Sequence, residues 1–374
     1  MEAALDTLDT LTIRGFKSFK ELERFEFKNL NVFIGANGAG KSNLISFFKM
    51  LRCLMDDNLG GYVRDNGGIS NIFHNGLKGT PKMYFEMRFG ERGYRFTIHH
   101  TPSDKAALSN EARFYEHGTT GWFELGNSYD EYSELVTEAK GEYEYSFCSK
   151  PVYDAIMSWQ IYHFHDTSQT APMRHSEIIQ DCHVLRSNAS NIAPFLFFLQ
   201  KMYPVEYNEI LRTCQLIMPF LKDFLLYEEI SGSANEIKKV RLSWRTKDSD
   251  FPMQPYHLSD GSIRFICLAT ALLQPSLPST LIIDEPELGL HPEAIHILGE
   301  LITKAAERTQ VIVATQSPLL IDQFNIEDIV IVNRKDEQSV FERLSKDDFE
   351  VWLEDYSTGE LWRKNVIQGG ICYE

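Results

Sequence analysis

The sequence lacks several patterns that mark common classes of protein. Its 6 cysteines include no CxxC pair, so the sequence predicts neither a disulfide framework nor a zinc site. No apolar run approaches the ~20 residues that a membrane-spanning helix needs. The N-terminal residues MEAALDTLDT have neither the basic nor the apolar region of a signal peptide. We therefore expect a cytoplasmic protein with no membrane partner.

Basic residues are also in short supply. Lys and Arg number 37 against 53 Asp and Glu, which gives a net charge of −16. This charge argues against a surface devoted to coating nucleic acid, although it leaves room for a local basic patch. The sequence also lacks repeats, low-complexity stretches, linker-like segments and sustained heptads. It therefore predicts a single globular unit over residues 1–374, without long coiled-coil arms.

The strongest motif that is present is GANGAGKS at residues 35–42, which fits the phosphate-loop pattern G-x-x-x-x-G-K-[ST]. A strand-like run precedes it at residues 30–34, and residues 43–54 have helical spacing. In such a loop the backbone N–H groups point at phosphate oxygens. Lys41 would reach the β- and γ-phosphates, and Ser42 would bind Mg²⁺. We predict that ATP contacts Asn37, Gly38, Ala39, Gly40, Lys41, Ser42 and Asn43.

A second motif supplies carboxylates. Residues 280–283 (TLII) read as a buried strand, and DEPE follows immediately. Charge directly after an apolar strand is costly without a cation. We therefore predict that Asp284 is the Mg²⁺ carboxylate and that Glu285 polarises the attacking water as a general base.

Three further segments accompany these motifs. LSDGSIR at residues 258–264 opens a helix-like run, a geometry that binds anions but more often serves as a plain helix N-cap. LGLHP follows at residues 288–292. A strand-like run at 310–314 ends in TQSP.

In this order and spacing, the motifs resemble the ABC-type ATPase heads of the SMC, RecF and OLD group over most of the chain. The resemblance implies an α/β fold, with a mixed or antiparallel β lobe, a parallel α/β core and a compact helical insertion. It implies that Ser259 and Gly261 contact the γ-phosphate of a nucleotide bound by a second subunit. Gln316 stands where many relatives carry a switch histidine, so γ-phosphate sensing is implied there but proton transfer is not.

Two other positions are assigned by the same resemblance. Residues 62–76 resemble the SMC segment in which an arginine assists hydrolysis, which makes Arg64 a catalytic candidate; an exposed structural arginine is the alternative. IYHFHDTS at residues 161–168 occupies the position of the Q-loop, with His165 where glutamine is expected. His165 would contact a metal-bound water or serve as a packed loop residue. The sequence supports no metal other than Mg²⁺.

We divide the chain into an N-terminal lobe (1–165), a helical insertion (166–235) and a C-terminal lobe (236–374). Within the insertion, residues 192–199 and 210–226 are predicted to be helical. Residues 104–146 are acidic and are interpreted as a solvated insertion with antiparallel strands. Strand, helix and strand are predicted again at 280–283, 293–307 and 310–314, which indicates a parallel α/β half.

The segments YHFHDTS, SDGSIRF and the C-terminal residues 356–370 resemble short bacterial AAA family ATPases of this class, which recur in antiphage defence modules with a separate nuclease or other effector. Our first hypothesis is an ATP hydrolase that forms a homodimer around two nucleotides and gates such an effector. The second is an ATP-locked scaffold or sensor with little turnover. The third is a RecF-like DNA repair ATPase, which would use basic segments that contain Arg241 and Arg245 or the cluster from Arg14 to Lys28.

Overall fold

The computed structural model describes residues 6–116, 120–126, 130–141, 143, 145–229 and 238–367. Residues 230–235 of the predicted insertion, the segment 368–374 and Cys372 lie outside this range. The helices are α1 (Lys41–Met55), α2 (Leu59–Asp65), α3 (Gly76–Gly79), α4 (Glu134–Lys140), α5 (Ser146–Ser158), α6 (Ile192–Met202), α7 (Pro204–Ile217), α8 (Asp260–Leu273), α9 (Pro292–Ala306), α10 (Pro318–Ile321), α11 (Lys346–Leu353) and α12 (Thr358–Arg363).

The strands fall into two larger and two smaller sheets. Their bounds are β1 (Thr10–Phe16), β2 (Phe19–Glu26), β3 (Leu30–Ile34), β4 (Lys82–Phe89), β5 (Arg92–His100), β6 (Ala106–Tyr115), β7 (Gly121–Gly126), β8 (Gln160–Tyr162), β9 (Glu177–Ile178), β10 (Leu221–Leu225), β11 (Glu228–Glu229), β12 (Lys239–Val240), β13 (Ser243–Thr246), β14 (Ser249–Met253), β15 (Thr280–Asp284), β16 (Gln310–Thr315), β17 (Ile329–Lys335) and β18 (Gln338–Arg343).

The central sheet has the strand order β18-β17-β3-β16-β15-β8. Its strands are parallel except for the edge pair β17–β18, which is antiparallel. The interior strands β3 and β16 are short, mostly apolar and buried along their whole length, as expected for a parallel sheet that is covered on both faces. This architecture confirms the predicted parallel α/β core.

Alternate residues of the central strands feed two separate cores. In β3, Val32 and Ile34 pack with α8 and α9, whereas Phe33 packs on the opposite face with α1 and the antiparallel sheet. In β15, Leu281 and Ile283 belong to the first core, and Ile282 to the second. The central sheet therefore separates two hydrophobic layers.

The second large sheet is antiparallel, in the order β2-β1-β4-β5-β6-β7, and confirms the predicted β lobe. Its strand β6 lies inside the acidic segment that we interpreted as solvated, and there the interpretation is wrong. Glu111 is only 3% exposed, because its carboxylate accepts hydrogen bonds from Tyr94, Ser133 and the backbone N–H of Glu134. The acidic composition of residues 104–146 could not reveal that the Glu111 carboxylate has buried hydrogen-bond partners.

The segment after residue 166 is less helical than predicted. Helix α7 ends at Ile217, so the helix predicted over residues 210–226 is wrong beyond that point. Pro219 disfavours a helical conformation at the preceding residue. Strand β10 follows instead, and Leu221 and Phe224 are buried where it pairs with β13. Because β10 and β13 lie on either side of residue 236, this small sheet crosses the predicted boundary between insertion and C-terminal lobe, which itself stays a prediction.

Among the described residues, no helix is both long and apolar enough to cross a membrane.

The antiparallel sheet is attached to α1 by a cluster of phenylalanines, which supplies a test of the fold. The ring of Phe85 lies 5.6 Å from that of Phe47 and 4.9 Å from that of Phe96, and all three side chains are fully buried. We expect Phe85→Ala to lower the free energy of unfolding by ~3–5 kcal/mol, because it leaves a cavity. Phe251→Ala, at a side chain that is 67% exposed, should change it by less than ~0.5 kcal/mol. Urea unfolding followed by circular dichroism measures both, and equal effects would contradict the packing described.

Candidate functional site

The phosphate loop connects the end of β3 to the first turn of α1, as predicted. Gly38 and Gly40 have φ angles of 79° and 125°, a region that favours glycine. A Cβ atom on Gly40 would collide with Ser339, whereas one on Gly38 would meet nothing within 4 Å. The fully buried Ser339 hydroxyl donates to the carbonyl of Ala39 and lies 2.7 Å from Ser18 Oγ. The loop is therefore backed by side chains on one side and open on the other.

Lys41 folds back across this loop. Its Nζ donates to the carbonyl of Gly35 at 2.6 Å and of Ala36 at 3.2 Å. Burial lowers the pKa of Lys41, and the nearby carboxylates of Glu285 and Asp284 oppose that shift. A buried cation at the start of a helix is well placed to meet an anionic ligand.

Asp284 is the last residue of β15. Strand β16 lies between β15 and β3, the strand that leads into the phosphate loop. Parallel strands β3, β16 and β15 are neighbours, so their carboxyl ends meet at one edge of the sheet. Ser42 and Asp284 line the same cleft, whose volume is about 1170 Å³. The two residues predicted to hold Mg²⁺ are thus brought together, and oxygen ligands suit that ion.

Gln316 contacts two of the other predicted site residues. Its Nε2 donates to Asn37 Oδ1 at 2.7 Å and to Glu285 Oε1 at 3.1 Å. Glu285 has a φ of 43°, and its backbone N–H donates to Ala314 at 2.8 Å, which fixes the turn after β15. A left-handed conformation at a non-glycine residue is strained and often marks a functional site. The amide of Gln316 therefore connects the phosphate loop to the predicted general base.

Glu287 belongs to the site but was missed in the sequence. It is 8% exposed, and its Oε1 accepts a hydrogen bond from Thr315 Oγ1 at 2.6 Å. Its Oε2 is buried and has no hydrogen-bond partner among the residues that the structure describes. Burial raises the pKa of Glu287, because it disfavours the charged form. The signal available in the sequence was the last letter of DEPE, which could not reveal the depth of the side chain.

The turn at residues 258–261, at the start of LSDGSIR, caps helix α8 and is called the signature turn. Ser259 is the N-cap, and its Oγ accepts from the backbone N–H of Ser262 at 3.1 Å. Gly261 packs so closely on the carbonyl of Gly289 that a Cβ atom would not fit. Ser259 is exposed, and neither Ser259 nor Gly261 is among the described residues that line the cleft of Ser42 and Asp284.

Two buried arginines fix this turn, and neither was singled out in the sequence. Arg174, which is 3% exposed, donates to the carbonyls of Thr167, Pro255 and Leu258 at 2.9, 2.6 and 3.1 Å. Its Nη2 also donates to Asp260 Oδ1 at 2.8 Å. Such a planar fork of donors cannot be reproduced by lysine.

Arg264 performs a similar task from within α8. It donates to the carbonyls of Phe164 at 2.8 Å and His165 at 2.9 Å, and it also contacts the carbonyl of Leu288. Burial lowers the pKa of Arg264. Together, the two guanidinium groups tie the signature turn, the segment after β8 and the LGLHP turn into one unit.

His165 lies beside Asp284, together with a histidine that was not predicted. His165 Nε2 is 3.1 Å from the backbone oxygen of Asp284, and His163 Nδ1 is 3.6 Å from Asp284 Oδ2. The two imidazole rings lie 3.8 Å apart. The available signal was alternation, because Tyr162 and Phe164 are buried and send both histidines to the other face. The prediction that no metal other than Mg²⁺ is supported overlooked this set of three potential ligands.

The structure does not bring every predicted residue to the site. Arg64 is exposed in the last turn of α2, and among the described lining of the cleft it is Tyr62, Asp65 and Asn66 that represent this segment. Arg64 as a catalytic residue stays a prediction without a contact to support it.

Several of the basic residues proposed to contact DNA are already paired. Arg241 lies 3.3 Å from Glu229, and Arg245 donates to Asp223 at 2.9 Å. In the N-terminal cluster, Lys17 donates to Ser46 at 2.6 Å and Asn66 at 2.8 Å, inside the cleft rather than on an open surface.

Comparison with known proteins supports an ATPase head of the SMC and OLD type. An Smc head bound to the C-winged helix domain of ScpA matches with a TM-score of 0.51 at 15% identity, over 92% of this chain and 99% of that one. An Smc head with an extended coiled coil, bound to the C-terminal domain of ScpA derived from Pyrococcus furiosus, matches with a TM-score of 0.53 at 14% identity. That match covers 94% of this chain and 99% of the other. These likenesses show the fold.

A curated relative points the same way in sequence. The OLD nuclease of Thermus scotoductus (strain ATCC 700910 / SA-01) is 28% identical over 148 residues. The match spans 37% of this chain but only 28% of that protein. The family model described as "AAA domain, putative AbiEii toxin, Type IV TA system" matches residues 30–322. With this match over most of its length, the chain belongs to that family of AAA domains and is an OLD/SMC-like ABC-type ATPase domain.

Proposed function

We propose that this chain binds and hydrolyses ATP, and that its complete site forms only when two copies enclose two nucleotides. The observation that carries the proposal is the cluster of Lys41, Asp284, Glu285 and Gln316 at one edge of the central sheet. These groups come from three separate motifs. The cationic Lys41 suits a triphosphate, and the carboxylates of Asp284 and Glu285 suit its metal ion and the attacking water.

Each group has a distinct task in this proposal. Lys41 exchanges the loop carbonyls it contacts for phosphate oxygens, and the open side of Gly38 admits them. Ser42 and Asp284 would hold Mg²⁺, which neutralises phosphate charge when bound. Glu285 orients the attacking water and accepts its proton. Gln316 orients the Glu285 carboxylate through the hydrogen bond that its amide donates. It takes no part in proton transfer, because an amide does not relay a proton.

The need for a second copy follows from the position of the signature turn. Ser259 is exposed and does not line the cleft of its own chain. Its helix presents an exposed N-terminal turn, which favours an anion from outside. In a symmetric dimer, the nucleotide bound by each chain would lie against Ser259 and Gly261 of the other. Each of the two signature turns would then have an anion to bind.

We propose further that the dimer gates a separate effector in prokaryotic defence. The family description, which refers to a toxin and a toxin–antitoxin system, supports such a setting. The partial match to the OLD nuclease supports a nuclease as the class of effector in this proposal.

A second candidate is a scaffold that holds ATP with little turnover, and a role in DNA repair is a weaker third. Gln316 favours the second, because its amide lacks the proton-transfer ability of a histidine. The ion pairs of Arg241 and Arg245 argue against the third.

The general base supplies the most direct test of hydrolysis. We expect Glu285→Gln to lower the rate of phosphate release by ~10²–10⁴-fold and leave ATP binding intact, since only proton transfer is lost. The same variant should accumulate as an ATP-bound dimer. Phosphate release across a range of protein concentrations and light scattering with ATP measure these effects.

Glu300→Gln is the matched control, because its side chain is 70% exposed on α9 and away from the cleft. A Glu285→Gln protein that binds ATP yet stays monomeric would contradict the dimeric site. Turnover in the unaltered chain no faster than in Glu285→Gln would favour the scaffold.

The fork of Arg174 supplies a separate test of the signature turn. Arg174→Lys keeps the charge but loses the planar set of donors to Pro255, Leu258 and Asp260. We expect hydrolysis to fall ~10–100-fold through misplacement of the turn, with ATP affinity of the monomer unchanged. Isothermal titration and phosphate release measure the two quantities, and urea unfolding verifies that the variant is folded. A folded variant with normal turnover would show that the fork is not required.

A further inference from the structure

We propose that His163, His165 and Asp284 form a binding site for a divalent transition-metal cation at the edge of the phosphate-loop cleft. Each residue offers one ligand atom, and these atoms lie within 4.8 Å of one another. Ligands that share an ion through bonds of ~2.1 Å lie up to ~4 Å apart, so a small rotation of the rings closes the site. His163 has room for that rotation, because its side chain is 46% exposed.

The backbone holds these ligands in register. Strand β8 pairs in parallel with β15, with Ile161 opposite Ile282 and Tyr162 opposite Ile283. The next step along both strands brings His163 beside Asp284. Because side chains alternate, the buried Tyr162 and Phe164 direct His163 and His165 to the face that carries Asp284.

Further contacts restrain the segment that carries both histidines. The backbone N–H of His163 donates to Ser187 at 3.0 Å. Arg264 donates to the carbonyls of Phe164 and His165, on either side of the second ligand. Such restraint reduces the conformational freedom lost when a metal binds. The three groups are therefore held close together before any ion arrives.

The ligand chemistry distinguishes this site from an ordinary magnesium site. Mg²⁺ prefers oxygen ligands and keeps much of its water, whereas imidazole suits Fe²⁺, Co²⁺, Ni²⁺ and Zn²⁺ better. Two imidazoles and one carboxylate leave positions open on such an ion. Ser42 and His163 line the same cleft, so a phosphate oxygen is a natural occupant of an open position. Because both proposals use Asp284, a transition-metal cation at this site would take the place of Mg²⁺ on that carboxylate. The use of this cation with ATP rests on the proposed function, but its binding does not.

The probe is Co²⁺ added to the nucleotide-free full-length chain. Visible absorption reports the coordination of Co²⁺, and isothermal titration measures its affinity. We expect Co²⁺ to bind with imidazole-type absorption and much more tightly than Mg²⁺. His163→Gln should weaken Co²⁺ binding at least ~10-fold. The matched control is His296→Gln, whose exposed ring on α9 lies outside the cluster, and it should leave Co²⁺ affinity unchanged.

Equal affinities of the unaltered chain and a folded His163→Gln variant for Co²⁺ would overturn the inference, as would tighter binding of Mg²⁺ than of Co²⁺. Thermal unfolding of both variants establishes that they are folded, which the exposure of both rings favours.

A second titration separates this inference from the proposed function. Lys41→Ala should lose ATP affinity yet bind Co²⁺ as before. Failure of the unaltered chain to bind ATP, with Co²⁺ still bound, would overturn the proposed function and leave the metal site intact. ATP hydrolysis without any histidine-dependent Co²⁺ binding would overturn the metal site alone.

Discussion

The parallel pairing of β3, β16 and β15 is the constraint on which the rest of the structure depends. It places the ends of three strands at one edge, where each continues into a different motif. The phosphate loop, the acidic turn after Asp284 and Gln316 meet only because that register holds. Burial of the strands on both faces maintains it, since a slip of one residue would exchange the apolar side chains between the two cores.

Two buried guanidinium groups extend this order beyond the sheet. Arg264 and Arg174 each bond to backbone carbonyls of segments that have no hydrogen-bonded ladder of their own. Such charge-assisted bonds are stronger than neutral ones, and their removal leaves buried carbonyls unpaired. The signature turn thus has a fixed position relative to the segment after β8, even though it serves a different nucleotide in the proposed dimer.

Much of the fold could be predicted, because the phosphate loop, the DEPE motif and the apolar strands are each determined by residues that are adjacent in the sequence. The same reasoning selected Lys41, Asp284 and Glu285, which lie at one edge of the central sheet and whose roles stay predictions. It failed where the cause was distant in sequence: Glu287 and Glu111 are buried against partners that no spacing reveals. It missed His163 because its neighbour in space, Asp284, lies on another strand. It misread residues 221–225 as helix because pairing with β13 outweighed local propensity.

The wall behind the phosphate loop has a consequence for how the chain is divided. Ser339, which touches Ala39 and Ser18, lies on the antiparallel edge strand β18, beyond the end of the family match at residue 322. Ser339 is also the group that excludes a side chain from position 40. A fragment trimmed to residues 30–322 would keep the phosphate loop, DEPE and the signature turn and yet leave the phosphate loop without support on one side. In this protein, support for the phosphate loop thus comes from a strand outside the matched range.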